Sequence, residues 1–484
     1  MHESEAGAPQ ATYDSYIVRA TLAVSLDPDA ALIPGAIPDT TAIHESHQPD
    51  IVRATLAVAL AAQTPGVHNH KQRSWWPLVM LPLLALFVIA SSDLAEVSHH
   101  ITPRRSVVVT GPIVSMPLTS SQINTLDHLS KFFSYKQLAQ VYVSHMTLDE
   151  KLGQLFLLQS YDQFYSPSLE YAITQLHVGG VIMYAFQMQT FNQTKHDISE
   201  MQQHASIPLM IATDEEGGFV ERVQNIFGHH PGALEIYDTG NVNLATQAGN
   251  RIAHDLQLLG INTDLAPDVD VQLVDGPDQY LRTWGYTPQS VITFGGAYLR
   301  AVQGDGVIAC LKHFPGLGAA QTDAHFALPI INRTRDQIYS TELVPFKHFI
   351  QSSNPLDNPG MIMDTDLLMP AIDPVYPAEL SPTIVTGILR NQLGYNGVVI
   401  SDSLWMTGIA KKWNLEQAGV MALQAGNDML LGAIGPYQME SMINAIKAAL
   451  QDGTLSMARI NQSVTRIIAL KMQYHLIPTS TLYS

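Results

Sequence analysis

The chain has 484 residues, 46% of them hydrophobic, and a formal net charge of −18. That length exceeds one average domain, although a single α/β barrel can run well past roughly 200 residues, and the apolar share is ample for a large core. So acidic a balance argues against nucleic acid, whose phosphates it would repel, while a small neutral substrate fits it equally well.

Cys310 is the single cysteine, which excludes an internal disulfide and any multi-cysteine metal site. It lies in an apolar run and suits inert packing.

Residues 1–74 form a low-order N-terminal arm, rich in Ala, Pro, Asp and His without sustained periodicity. Within it "IVRATLAVSL" at Ile17 recurs as "IVRATLAVAL" at Ile51. Two copies are too few for a solenoid. They are either short amphipathic helices that dock on a partner or a duplicated stretch of tether, and the sequence names no partner for the arm.

The uncharged run "WWPLVMLPLLALFVIA" from Trp75, extended through Ser91 and Ser92, is just long enough to span a bilayer. Its tryptophans suit the membrane interface, and Pro77 and Pro82 can be tolerated in a spanning helix. We read residues 75–92 as a transmembrane signal anchor; the alternative is a buried or interfacial helix. Arg53, Lys71 and Arg73 precede it and Arg104 and Arg105 follow. That slight bias orients the large domain to the extracytoplasmic side. Residues 93–124 make a polar, proline-containing stalk.

From residue 125 to 484 short apolar runs alternate with helix-length intervals. Strands are predicted at "GQLFLL" (Gly153), "GGVIMY" (Gly179), "PLMIATD" (Pro208), "INTDLAP" (Ile261), "GVIACLKHF" (Gly306), "GMIMDTD" (Gly360), "GVVISD" (Gly397) and "DMLLGA" (Asp428). Intervals such as "LATQAGNRIAHDLQLLG" and "PYQMESMINAIKAAL" carry helical periodicity. Strand and helix in alternation imply parallel strands covered by helices. Eight such units predict an α/β fold of the (β/α)8 TIM type. The runner-up is an open doubly wound sheet, but no glycine-rich dinucleotide fingerprint follows the first strand.

Active sites of such barrels lie at the C-terminal ends of the strands. Asp214 closes the third run, Asp264 lies in the fourth, Lys312 and His313 end the fifth, Asp366 the sixth and Asp402 the seventh. Five coincidences in order point to one shared cleft. In the loop after the fifth run, "TDAH" puts Asp323 two residues before His325, a spacing that lets the carboxylate orient the imidazole. A carboxylate nucleophile facing a proton donor is the minimum set for cleaving an acetal through a covalent intermediate. Asp402 alone would serve equally well as a helix N-cap. No H-E-x-x-H zinc spacing is present, and neither metal nor organic cofactor is required.

The segment from Thr125 to Ile477 resembles glycoside hydrolase family three, most closely its single-domain β-N-acetylglucosaminidase branch. The likeness runs through "EKLGQLFLL", "VGGVIMY", "DEEGGFVERV", "LGINTDLAPDVDV", "KHFPGLG", "TDAH", "GVVISDSLWM", "ALQAGNDMLL" and "SVTRIIALK", in that order. The resemblance implies that Asp402 is the nucleophile, His325 the general acid/base and Asp323 its partner. It implies that Asp214, Arg222, Arg282, Lys312 and His313 hold the sugar; alternatively Arg222 is an ion-pair partner of Glu216 or Glu221. The second, sandwich domain of larger members looks absent. This sequence departs from the family pattern at Leu317, Ala319, Phe219 and Asp366, where His, a polar residue, Arg and His are usual.

The implied reaction is retaining hydrolysis of a terminal β-linked N-acetylglucosamine from cell-wall or chitin-derived glycans. The alternatives are a related β-glycosidase, a phosphate-using phosphorylase, and a membrane-tethered sugar-binding protein without turnover.

Overall fold

The computed structural model describes residues 133–276 and 281–477. The arm, the proposed anchor at 75–92 and the stalk lie outside the described residues. Among the described residues no helix is long and apolar enough to cross a membrane.

Eight parallel strands close into a barrel in sequence order. They are β1 Phe156–Gln159, β2 Gly180–Ile182, β3 Met210–Thr213, β4 Thr263–Asp264, β5 Ile308–Phe314, β6 Met361–Asp364, β7 Val398–Ser403 and β8 Met429–Ile434. Each overlaps its predicted run and starts later than it, and β1, β7 and β8 each extend one residue beyond it, to Gln159, Ser403 and Ile434. β8 pairs back onto β1 through Phe156↔Leu430 and Leu157↔Leu431, which closes the cylinder. Cys310, in β5, is fully buried, and burial pushes its thiol well above the ordinary range, so it is packing.

The covering helices follow the predicted periodicity. Helix Val242–Leu259 buries Ala245, Ala248, Gly249, Ile252, Ala253, Leu256 and Leu259 at spacings of one, three and four, and stops at Gly260, whose φ is 94°. It packs on helix Pro288–Gly304 so closely that a Cβ on Gly249 would lie 2.8 Å from that of Ala301. Only a glycine permits this approach. Between β6 and β7 the helical turn is unexpectedly wide: Leu393 N–H donates to Ile388 O, five residues back, at 2.8 Å.

Helix Met457–Gln473 lies beneath the strand starts. Lys471 Nζ donates to Gln154 Oε1 (2.7 Å) and Gly179 O (2.8 Å), and burial pulls its ammonium down to about 7. At the other end of the same helix Arg459 donates to the carbonyls of Leu423 and Asn427, just before β8. The strands therefore have a capped bottom and an open mouth.

Candidate active site

β3 ends at Thr213, and the chain turns through Asp214, Glu215, Glu216 and the glycines Gly217 (φ 79°) and Gly218 (φ 64°). A Cβ on Gly217 would lie 2.5 Å from Pro231 O, so the turn needs glycine on both steric and conformational grounds. It returns Glu216 to the barrel axis. There Lys312 Nζ lies 2.8 Å from Asp214 Oδ1 and 2.6 Å from Glu216 Oε1. Arg282 closes the set with a two-pronged contact, Nε to Glu216 Oε2 at 2.9 Å and Nη2 to Oε1 at 2.8 Å.

Burial pulls the Lys312 ammonium down, but Asp214 and Glu216 outweigh it and hold the group above its ordinary value. Burial likewise raises Glu216, and Arg282 and Lys312 overcome it, leaving that carboxyl well below the usual range.

His313 stands beside Lys312. Its Nδ1 lies 2.8 Å from Asp270 Oδ2 and 3.8 Å from Asp268 Oδ2, while its Nε2 lies 3.4 Å from Arg282 Nη2. Asp270 Oδ1 accepts the N–H of Leu317 at 2.7 Å, tying the "PGLG" turn to β4's extension. Leu317 itself is buried, which explains an apolar residue there. Arg222 is also buried, and its N–H donates to Glu215 Oε2 at 2.6 Å.

Asp402 is half-buried near the end of β7. Its Oδ2 accepts the Thr365 hydroxyl at 2.9 Å and its Oδ1 the N–H of Ser403 at 2.8 Å. Three further acids, Asp364, Asp366 and Glu379, are fully buried in this quarter. Burial first, then Asp366, Asp364 and Asp402, hold Glu379 well above the usual carboxyl range. Burial first, then Asp402, does the same to Asp364, against the pull of its hydrogen bond with Asn427.

Tyr184, after β2, joins the two sides of the mouth. Gln159 Nε2 donates to its hydroxyl at 2.5 Å, and burial together with the charges of Asp214 and Asp402 lifts its phenol, with Gln159 and Arg222 opposing.

The loop after β5 carries the imidazole–carboxylate pair. Asp323 Oδ1 accepts both the backbone N–H of His325 and its ring Nδ1, each at 2.8 Å. The two side chains remain 33% and 17% exposed, enough for access. The loop is stapled toward the β6–β7 side: Leu368 N–H donates to Pro329 O at 2.9 Å, Ile331 N–H to Leu368 O at 2.9 Å, and Lys411 Nζ to Phe326 O at 3.2 Å.

The sequence expectations are corrected at two points. Asp264 is not a cleft residue: it is fully buried, its carboxylate taking Glu215 N–H (3.0 Å) and the Tyr298 hydroxyl (2.9 Å). Asp402 is not a helix cap, since it lies within β7 and the next helix begins after Met406. Glu216 pairs with Arg282 and Lys312, and Glu221 with His229 and the backbone of His230.

Glu216, Asp270, Thr365, Tyr184 and Glu379 were missed as site residues. Doubled acids in "DEEGG" and "DVDV" were the available signal for the first two; nothing local marks the others.

Two clusters have metal-ligand spacing, Glu215–Glu221–His230 and Asp268–Asp270–His313. In both the imidazole already meets carboxylates. His230 bridges Glu215 (2.8 Å) and Asp255 (3.0 Å), and although burial opposes it, the Glu215 hydrogen bond raises its pKa.

A closed eight-stranded barrel with acids and an imidazole–carboxylate pair at its mouth belongs to the class that carries acid–base chemistry at the strand ends. Residues 147–470 match the "Glycosyl hydrolase family 3 N terminal domain". The chain belongs to glycosyl hydrolase family 3.

It is 32% identical over 339 residues to β-hexosaminidase A of Pseudoalteromonas piscicida, covering 63% of this chain and 55% of that protein. It is 34% identical over 355 residues to an uncharacterised secreted glycosyl hydrolase of Arthroderma benhamiae, covering 70% and 98%. A solved family 3 β-N-acetylglucosaminidase from Paenibacillus sp. str. FPU-7 is similar in structure, with TM-score 0.66, 34% identity and coverage of 68% and 63%. The chain thus spans little more than half the length of the Pseudoalteromonas relative.

Proposed function

We propose that the chain is a retaining glycosidase that removes terminal β-linked N-acetylglucosamine, or a related N-acetylhexosamine, from a glycan. The observation that carries this reading is the separation of roles at the mouth. A carboxylate, Asp402, sits on β7 beside the buried acids Asp364, Asp366 and Glu379, and an imidazole–carboxylate pair, His325 and Asp323, sits on an accessible loop. Relatives named β-hexosaminidase and β-N-acetylglucosaminidase support the choice of sugar.

Asp402 attacks the anomeric carbon, held in place by the Thr365 hydroxyl. Protonated His325 gives its Nε2 proton to the departing oxygen, because Nδ1 is engaged by Asp323. Neutral His325 then takes a proton from water, whose oxygen attacks the anomeric carbon and frees Asp402. Asp214, Lys312, His313, Arg282 and Arg222 hold the sugar ring through charge-assisted hydrogen bonds.

A panel of aryl β-glycosides, assayed with and without phosphate, tests this. Turnover confined to N-acetylhexosaminides and unaffected by phosphate is expected. Preference for glucosides or xylosides, or release of a sugar phosphate, would overturn it.

The uncharged segment at 75–92 supports a membrane anchor that leaves the barrel extracytoplasmic. Carbonate-washed membranes should retain the full chain, and protease added from outside should reach the barrel. Recovery in the soluble fraction would contradict the anchor.

A further inference from the structure

The bottom of the barrel holds a recess that the chemistry at the mouth does not use. It lies between helix Tyr135–His145 and helix Met457–Gln473 and has a volume of about 410 Å³. Lys136, Lys151 and Arg466 line it, with the amides of Gln140, Asn461 and Gln462 between them. No aspartate or glutamate is in the lining, although the chain carries 43 acidic residues against 25 basic ones.

The charge beneath this wall is also one-sided. Arg390, Arg459 and Arg466 converge on one buried carboxylate, Asp428, at 2.5, 3.4 and 3.0 Å. One acid cannot neutralise three guanidinium groups. Burial, with Arg466 and Arg390 adding to it against the pull of Asp428, depresses the Arg459 guanidinium. The nearest acids in sequence are committed elsewhere: Asp149 pairs with Lys447 at 2.7 Å, and Glu150 caps Thr147 at 2.7 Å. Among the described residues neither Lys136 nor Lys151 has a carboxylate within ion-pair distance.

We propose that this recess binds a small polyanion carrying two or more phosphate or carboxylate groups. The volume exceeds one phosphate and falls in the range of small-molecule sites. The two lysines, on separate helices, grip such a ligand as point charges, and Arg466 meets it from the floor. The amide side chains supply neutral donors that orient it. Monovalent anions would be held weakly, since one charge leaves the remaining cations uncompensated.

The test uses the full chain at constant ionic strength, titrated separately with pyrophosphate and with citrate by calorimetry. One equivalent of at least one of them binds, and a hundredfold excess over the dissociation constant raises the thermal midpoint by about 4 °C. The arm that binds says whether phosphate or carboxylate is the favoured group.

In the double variant Lys136→Glu, Lys151→Glu the affinity falls at least tenfold, while circular dichroism and the anion-free midpoint stay as in the parent. Undiminished affinity in that variant would place the anion elsewhere and overturn the proposal. So would the absence of heat and of any midpoint shift with both anions at millimolar concentration. Should the double variant fail to fold, Gln140→Glu puts a negative charge in the same wall and must weaken binding likewise.

Discussion

On the β3–β5 side of the mouth every prominent charge has a partner: Lys312 and Arg282 meet Asp214 and Glu216 at distances between 2.6 and 2.9 Å. On the β6–β7 side Asp364, Asp366 and Glu379 are buried beside Asp402, and the contacts to the Asp402 carboxylate come from a hydroxyl and a backbone N–H. Opposite charges fixed against one another give a rigid, preorganised surface that suits sugar hydroxyls. Burial and mutual repulsion instead raise the carboxyl groups of Asp364 and Glu379 above the usual range. In the proposed function the first side holds the sugar and the second reacts with it.

Replacing the reacting carboxylate should have the largest effect. Asp402→Ala is expected to lower kcat on an aryl N-acetylglucosaminide by on the order of 10⁴-fold or more. Near-parental rates would erase the distinction between the two sides.

His325→Ala should cost about 10²–10⁴-fold on a disaccharide and far less on a substrate with an activated aryl leaving group. Equal losses on both would remove His325 as the proton donor.

On the holding side, Glu216→Ala strands Arg282 and Lys312 in a buried site. Removing one partner of such a network costs about 3–5 kcal/mol, to be read from denaturant unfolding. A loss near zero would mean that the pairing is not structural.

The smallest effect is a matter of sign. Glu379 titrates above its unfolded value, so its contribution to stability is complete below the unfolded carboxyl pKa and is lost as pH rises toward the folded one. Glu379→Gln cannot ionise and escapes that loss. The thermal midpoint of the variant should therefore gain on the parent as pH rises from acid to alkaline. A gain on acidification instead would show that Glu379 is charged in the folded chain.

The barrel was legible because its signal is repetitive: eight apolar runs and their helices each carry their own periodicity, and all eight strands overlap the predicted runs, five of them wholly inside. Asp402 drew notice because it follows an apolar run, and the Asp323–His325 pair because of its two-residue spacing, which the structure shows as a 2.8 Å contact.

Position along a strand, however, does not give direction. Asp264 ends its strand as Asp402 nearly does, yet it turns into the packing and caps Glu215 N–H. Partners distant in sequence were hidden for the same reason. Thr365 meets Asp402 across 37 positions and Asp270 meets His313 across 43, and no local pattern encodes either pairing.

The most direct test of the account is to trap the intermediate. A fluorinated N-acetylglucosaminyl fluoride that glycosylates quickly and hydrolyses slowly is incubated with the full chain, and the digest is mapped by tandem mass spectrometry. The account predicts one sugar per chain, esterified to Asp402 in the peptide that spans β7. A sugar on any other residue, or steady turnover of the reagent with no adduct while Asp402→Ala stays active, would contradict it.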